Sequence, residues 1–340
     1  MAFDIDMNKE NQDKREWQWT GKRIEYNNTW PDCGLWQSDI QKELDNWLKQ
    51  QNLSQIFEVV KLSDTAQQVL YDNAKLNKLF SGILDIYDEL PYRPDEAFDV
   101  AWRSLEIFMN HHRNVAWQAD CDRTAIHLIT RTVNDLIIPL VKKDKRVEDV
   151  LEGYLADIPL PVLVFTVLRC YIIHDLSINT QIKMVSERAE DSLSKALFDD
   201  IKTQYKLEQD VKPIVDVLRN ASLLLQLILK GKEVMVNGHK HQLELDKRLE
   251  FLLSCILYTS RCERFHGDYF SPFKSDRANM DTYAFSYYLL SFSYIYLWML
   301  INRHCELNSI GEICSMDNII NAAKTMQNRI KPLIEKGKKK

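Results

Sequence analysis

Arg261 and His266 stand with four residues between them in SRCERFHGDYFSPF, residues 260–273, and two such side chains can act together on a phosphate. Histidine moves protons near neutral pH, and the planar fork of arginine holds an oxyanion. Glu263, Arg264 and Asp268 share the stretch. Apolar LEFLLSCILYTS, residues 249–260, runs straight into it, and uncharged TYAFSYYLLSFSYIYLWMLI, residues 282–301, follows soon after. Charged side chains are costly to bury unless they are paired. The cluster is therefore either a solvated helix end or a working site.

Spacing alone does not decide. Chance supplies such a match in a chain with eight histidines, and a second one exists at Arg169 and His174. Context separates the two. Arg169 and His174 lie within a continuous apolar helical pattern, which suits a satisfied structural role. Arg261 and His266 lie at a helix end, where Gly267 suits a left-handed cap and Pro272 ends the pattern. A helix C-terminus favours a protonated imidazole. Five steps of about 100° put Arg261 and His266 roughly 140° apart on an ideal helix. Either the helix unwinds near His266, or a second copy supplies the missing group across a two-fold axis.

The elements that must position these residues are helical. The chain has 340 residues, 45% hydrophobic and 27% charged, with nine glycines and nine prolines. Apolar residues recur every three to four positions, so the expected class is all-α. Helices are expected over 64–90, 93–112, 121–141, 159–176, 186–208 and 211–231. EVMVNGHKHQLEL interrupts them, and its Asn237-Gly238 pair predicts a β-hairpin over about 233–244. His239 and His241 share one face of that hairpin. The sequence displays no third metal ligand beside them, so the face reads as exposed and no metal or other cofactor is expected.

Residues 1–60 hold Trp17, Trp19, Trp30, Trp36 and Trp47 among turn residues, and read as an irregular arm or cap. Residues 61–335 form the main helical domain, and KGKKK, residues 336–340, a basic tail. The run 282–302 is long enough for a membrane span, but its five tyrosines favour a buried core helix. Cys33, Cys121, Cys170, Cys255, Cys262, Cys305 and Cys314 are scattered and include no CxxC pair, which suits reduced thiols and a cytoplasmic location. The acidic, polar N-terminus is unlike a secretory signal. The net charge of −5 excludes a globally basic nucleic-acid binder and leaves only a local patch. The P-loop, Rossmann, nucleophile-elbow and zincin motifs are all absent.

RCERFHG, placed between an apolar helix and a long aromatic one, resembles the Arg-x4–6-His signature of the HEPN (higher eukaryotes and prokaryotes nucleotide-binding) ribonucleases, often written RxxxFHG. RPDEAFDVAWRSLEIFMN resembles their first helix. The resemblance implies a HEPN-like bundle with extra helices and a homodimer whose motif helices face each other. It also implies metal-independent RNA cleavage. The RNA 2′-hydroxyl would attack the scissile phosphate and leave a 2′,3′-cyclic phosphate. His266 would move protons, and Arg261 would stabilise the pentacoordinate phosphate. Arg264 and Lys274 would hold flanking phosphates, and Asp268 would pair with Arg261 or His266 at rest. Where the family commonly has Asn, Asp or His after the motif arginine, this chain has Cys262, with Glu263 the nearest polar substitute. Some family toxins carry a tyrosine two residues past the histidine that an antitoxin nucleotidylates. Here Tyr269 is one residue too far for that pattern. Such proteins often serve as toxins or antiphage effectors, so the expected partners are RNA, a second copy and an antitoxin or sensor, with no membrane. The competing expectation is a non-catalytic helical interaction module that retains the motif.

Overall fold

Capping residues explain where the helices begin. A computed structural model of the chain describes residues 24, 28, 38–117, 124–171, 180–207, 215–265, 273 and 278–337. Ser38 and Gln41 form a reciprocal capping box at the head of α1 (Asp39–Gln50). Asn73 interrupts the helix expected over 64–90. It closes α2 (Ala66–Asp72), and its side chain accepts from the Leu76 amide at 3.1 Å to open α3 (Ala74–Asp88). Pro94, Asp95 and Glu96 start α4 (Pro94–His112), where a missing N–H costs nothing and acids meet the positive end of the helix dipole.

The rod from 125 to 143 comprises α5 (Ala125–Arg131), a wide π-type turn (Thr132–Ile137) and α6 (Ile138–Lys143). Pro139 has no N–H to donate to the preceding turn, and the widened geometry sits just before it. α7 (Lys145–Ala156) and α8 (Leu160–Tyr171) follow. The single helix expected over 186–208 is instead two, α9 (Thr180–Leu193) and α10 (Lys195–Tyr205). Ser194 lies between them at φ 70°, and its hydroxyl caps the Leu197 amide. Serine favours such caps over helix interiors. α11 (Val215–Leu229) leads to the hairpin, β1 (Val234–Val236) and β2 (His239–His241). Asn237 and Gly238 form its turn at φ 49° and 83°, the conformation this residue pair favours. α12 (Leu245–Phe251), another π-type turn (Leu252–Leu257) and α13 (Tyr258–Phe265) carry the motif region. α14 (Met280–Leu307) and α15 (Met316–Gly337) close the described chain. Among the described residues the fold is all-α apart from this one two-stranded antiparallel sheet.

α14 is the axis of the core. It is the one described helix long and apolar enough to cross a membrane, and it is buried along nearly its whole length between α4, α15 and their neighbours. Its tyrosines would be costly to bury without hydroxyl partners. Each described one has a partner. Tyr287 donates to the Pro91 carbonyl at 2.8 Å and Tyr288 to the Tyr154 carbonyl at 3.0 Å. Tyr296 meets Thr132 at 2.9 Å, and Tyr294 accepts from the Val60 amide at 3.0 Å. Phe57 packs at a tilt against Tyr294, and Leu44, Trp47 and Leu48 of α1 are buried, so residues 38–60 pack with the main body. Trp17, Trp19, Trp30 and Trp36 lie outside the described residues. At the other end, α15 runs through Lys336 to Gly337, and only 338–340 of the basic tail lie outside them.

A buried imidazole pair ties α4 to α14. His112 and His304 are each 1% exposed, and their Nδ1 atoms are 2.7 Å apart. The Asn308 amide also donates to Nδ1 of His304 at 3.2 Å, which makes His304 the acceptor and His112 the donor. Burial pushes both imidazoles from an ordinary 6.5 down to about 4. Below pH 6.5 the unfolded chain therefore takes up protons that the folded chain refuses until near pH 4. Stability is expected to be full above pH 6.5 and to fall toward pH 4, by on the order of 3 kcal/mol for each imidazole. Urea unfolding at a series of pH values checks this. A His304→Gln variant should flatten the slope over that window.

Candidate functional site

α13 lies antiparallel to α4, as the pairing of Arg261 with Glu106 and of Arg264 with Asp99 requires. The Trp102 ring, between Asp99 and Glu106 on α4, sits 6.1 Å from the ring of Tyr258. On α4 the residues Asp95, Asp99, Trp102 and Glu106 follow a four-three-four spacing and share one face. That face carries the acids which neutralise α13. Their spacing was visible in the sequence, but nothing local says which helix they meet.

Arg264 is the most enclosed cation of the motif. Its Nε and Nη2 lie 2.7 Å from Oδ2 of Asp99, and its Nη1 donates to Asp95 at 3.2 Å. Asp95 and Asp99 are themselves buried. Burial pushes the Asp99 carboxyl above the usual range, and the Arg264 guanidinium offsets only part of that. Glu96 also lies 3.4 Å from Nη2, so a phosphate at Arg264 would have to compete with three carboxylates. Glu263 points to the opposite side of α13, where it pairs with Arg169 of α8. The Arg169 guanidinium also lies 3.4 Å over the Phe165 ring. The two Arg–His segments of the sequence thus meet through an ion pair. Arg188 of α9 donates to the Thr259 hydroxyl at 3.0 Å and completes the collar around α13. Cys262 is a half-buried free thiol beside the Tyr258 hydroxyl.

Arg261 is held differently. It donates one hydrogen bond, from Nη2 to Oε2 of Glu106 at 3.1 Å, and both side chains are partly exposed. Its guanidinium lies 4.2 Å over the ring of Phe265, itself half exposed. Its Nε is buried with no hydrogen-bond partner. Buried N–H groups are normally satisfied. The Nε atoms of Arg113, Arg188, Arg248 and Arg303 are buried without a hydrogen-bond partner in the same way, so this feature separates Arg261 from Arg264 rather than from every other arginine. His266, Asp268 and Lys274 lie outside the described residues, as does His174.

A cavity of about 90 Å³ opens beside α13, walled by the Arg169–Glu263 pair, Phe165 and Phe285 and reached also by Arg264 and Asp95. Arg261 does not line it. The cluster around α13 contains no three-ligand metal set among the described residues. Its chemistry is that of cations, carboxylates and one thiol. No family model matches the chain, and no curated protein or solved structure was found that resembles it.

Proposed function

We propose that the chain is a HEPN-type endoribonuclease that cleaves RNA with no catalytic metal, acting as a homodimer in the cytoplasm as a toxin or an antiphage or stress effector. The observation that carries this reading is the state of Arg261. Of the motif's two arginines, it alone keeps an unsatisfied N–H and a single partly exposed carboxylate partner. In the proposed reaction the RNA 2′-oxygen loses its proton to His266 and bonds to phosphorus. Arg261 steadies the charge on the pentacoordinate phosphate. The bond from phosphorus to the 5′-oxygen then breaks, the leaving oxygen takes a proton, and a 2′,3′-cyclic phosphate remains. Because Arg261 and His266 diverge on a straight helix, the reading assigns a complete site to two copies with their motif helices facing.

Arg261→Lys tests the role of the fork. Lysine keeps the charge but not the paired donors. Cleavage of a labelled RNA is expected to slow by about 10²-fold. The thermal midpoint should barely move, because a partly exposed ion pair contributes about 1 kcal/mol or less. An unchanged rate would remove Arg261 from the chemistry.

The second reading is a non-catalytic interaction module. It is favoured by one observation, that Arg264, Glu263 and Arg169 are all held in ion pairs that fasten α13 to α4 and α8. On that reading Arg261→Lys leaves any partner binding intact and there is no cleavage to lose.

A further inference from the structure

The hairpin's histidines were expected on an exposed face with no third ligand; the structure leaves His239 exposed, partly buries His241, and brings a third ligand beside them. Directly paired residues of antiparallel strands share a face. Val234 pairs with His241 and Val236 with His239, so the two valines and two histidines point the same way. Both valines are buried, whereas Met235 on the other face is 57% exposed. The apolar valines turn the histidine face inward, against α10. There Oδ2 of Asp200 lies 2.8 Å from Nδ1 of His239 and 2.7 Å from Nε2 of His241.

We propose that Asp200, His239 and His241 form a binding site for a divalent transition metal, zinc by its ligand chemistry, which fastens the hairpin to α10. Two imidazole nitrogens and one carboxylate oxygen are a ligand set zinc takes readily, with a fourth position left for water. All three donor atoms lie within 4.8 Å of one another, and among the described residues no other group of three such side chains does so. Tetrahedral bonds of about 2.0–2.1 Å place ligand atoms about 3.3 Å apart. The nitrogens need to draw back from Oδ2 by only about half an ångström to admit the ion. His239 has room to do so, since its side chain is 68% exposed, while His241 at 14% and Asp200 at 11% stay fixed. Each imidazole binds in its neutral form. The ring proton that faces Asp200 moves to the other ring nitrogen, so the nitrogen lone pair faces the metal.

The surroundings are arranged for this. The Asn237 amide donates to Oδ1 of Asp200 at 3.0 Å, which occupies one carboxylate oxygen and leaves Oδ2 toward the histidines. The Asn237 backbone N–H donates to Gln204 of α10 at 2.6 Å, so the turn is registered on the same helix that carries the carboxylate. Such supporting hydrogen bonds orient ligands and tune metal affinity. The site stands apart from the proposed ribonuclease chemistry and does not depend on it.

Zinc titration of the full-length, chelator-stripped protein, followed by competition with a zinc-sensitive dye, tests the proposal. The expected result is one zinc per chain, saturating well below about 100 µM, with a thermal midpoint that rises on zinc addition. Asp200→Asn and His239→Ala/His241→Ala should each lose that equivalent. His239→Ala alone removes a largely exposed side chain, should leave the fold intact, and should weaken binding at least about 10-fold. Asn237→Gly keeps the turn's backbone freedom and should weaken it by roughly 10–100-fold. No zinc bound by the wild type at about 100 µM, or equal binding by the wild type and His239→Ala, would overturn the proposal.

Discussion

Replacing His266 with alanine is expected to lower RNA cleavage by about 10²–10⁴-fold, the usual contribution of a positioned proton-transfer group. RNA brings its own nucleophile, so the protein need not create one. It must take the 2′-hydroxyl proton as the oxygen attacks and supply a proton to the departing 5′-oxygen. Alanine can do neither. Arg261, still present, would keep its electrostatic share of the rate. RNA binding is expected to change much less than turnover, because the phosphate contact assigned to Arg261 is untouched. Single-turnover cleavage and equilibrium binding of one labelled RNA separate the two. Undiminished cleavage by the His266→Ala variant would sink the assignment.

Arg264→Leu is expected to destabilise the fold by about 3–5 kcal/mol, the cost of leaving a buried carboxylate without its cation. Asp95 would keep Arg93, which donates to it at 3.1 Å, so the orphan would be Asp99. Burial already raises the Asp99 carboxyl with Arg264 in place. Without the arginine it would rise further, and a carboxyl raised in the folded state gives stability at low pH that is lost as pH climbs. The deficit of the variant relative to wild type should therefore shrink as the pH is lowered. Arg264→Leu/Asp99→Leu removes both charges and should recover much of the loss. Urea midpoints of the three proteins check this. A loss below about 1 kcal/mol for Arg264→Leu would mean that Arg264 is an ordinary surface cation. The contrast with Arg261→Lys is the useful part, since adjacent motif arginines should separate into one that holds the helix and one that acts.

The sequence displayed what local interactions decide. Helical periodicity gave the all-α class, Asn237-Gly238 the hairpin, and Pro94 with its acids the start of α4. The breaks at Asn73 and Ser194 were missed because each residue fits a helical pattern on spacing and ends a helix only through its side-chain cap. The candidate site was half legible. Arg261 and its place near a helix end could be read directly, but its partner Glu106 lies 155 residues away. Asp200 was missed for the same reason. It is 39 residues from His239 and meets it only after α11 folds the hairpin back on α10. Charge pairing between elements is set by the packing of apolar faces, and the charges carry little trace of it.

The central claim is that this chain cuts RNA through Arg261 and His266 without a metal in the chemistry. The most direct measurement is incubation of the purified protein with a labelled RNA in excess EDTA, followed by analysis of the new 3′ ends. The account predicts cleavage that persists in EDTA, yields 2′,3′-cyclic phosphate ends, and disappears with His266→Ala. Intact RNA after prolonged incubation with the folded wild-type protein, or 3′-hydroxyl ends that form only when divalent metal is restored, would contradict it.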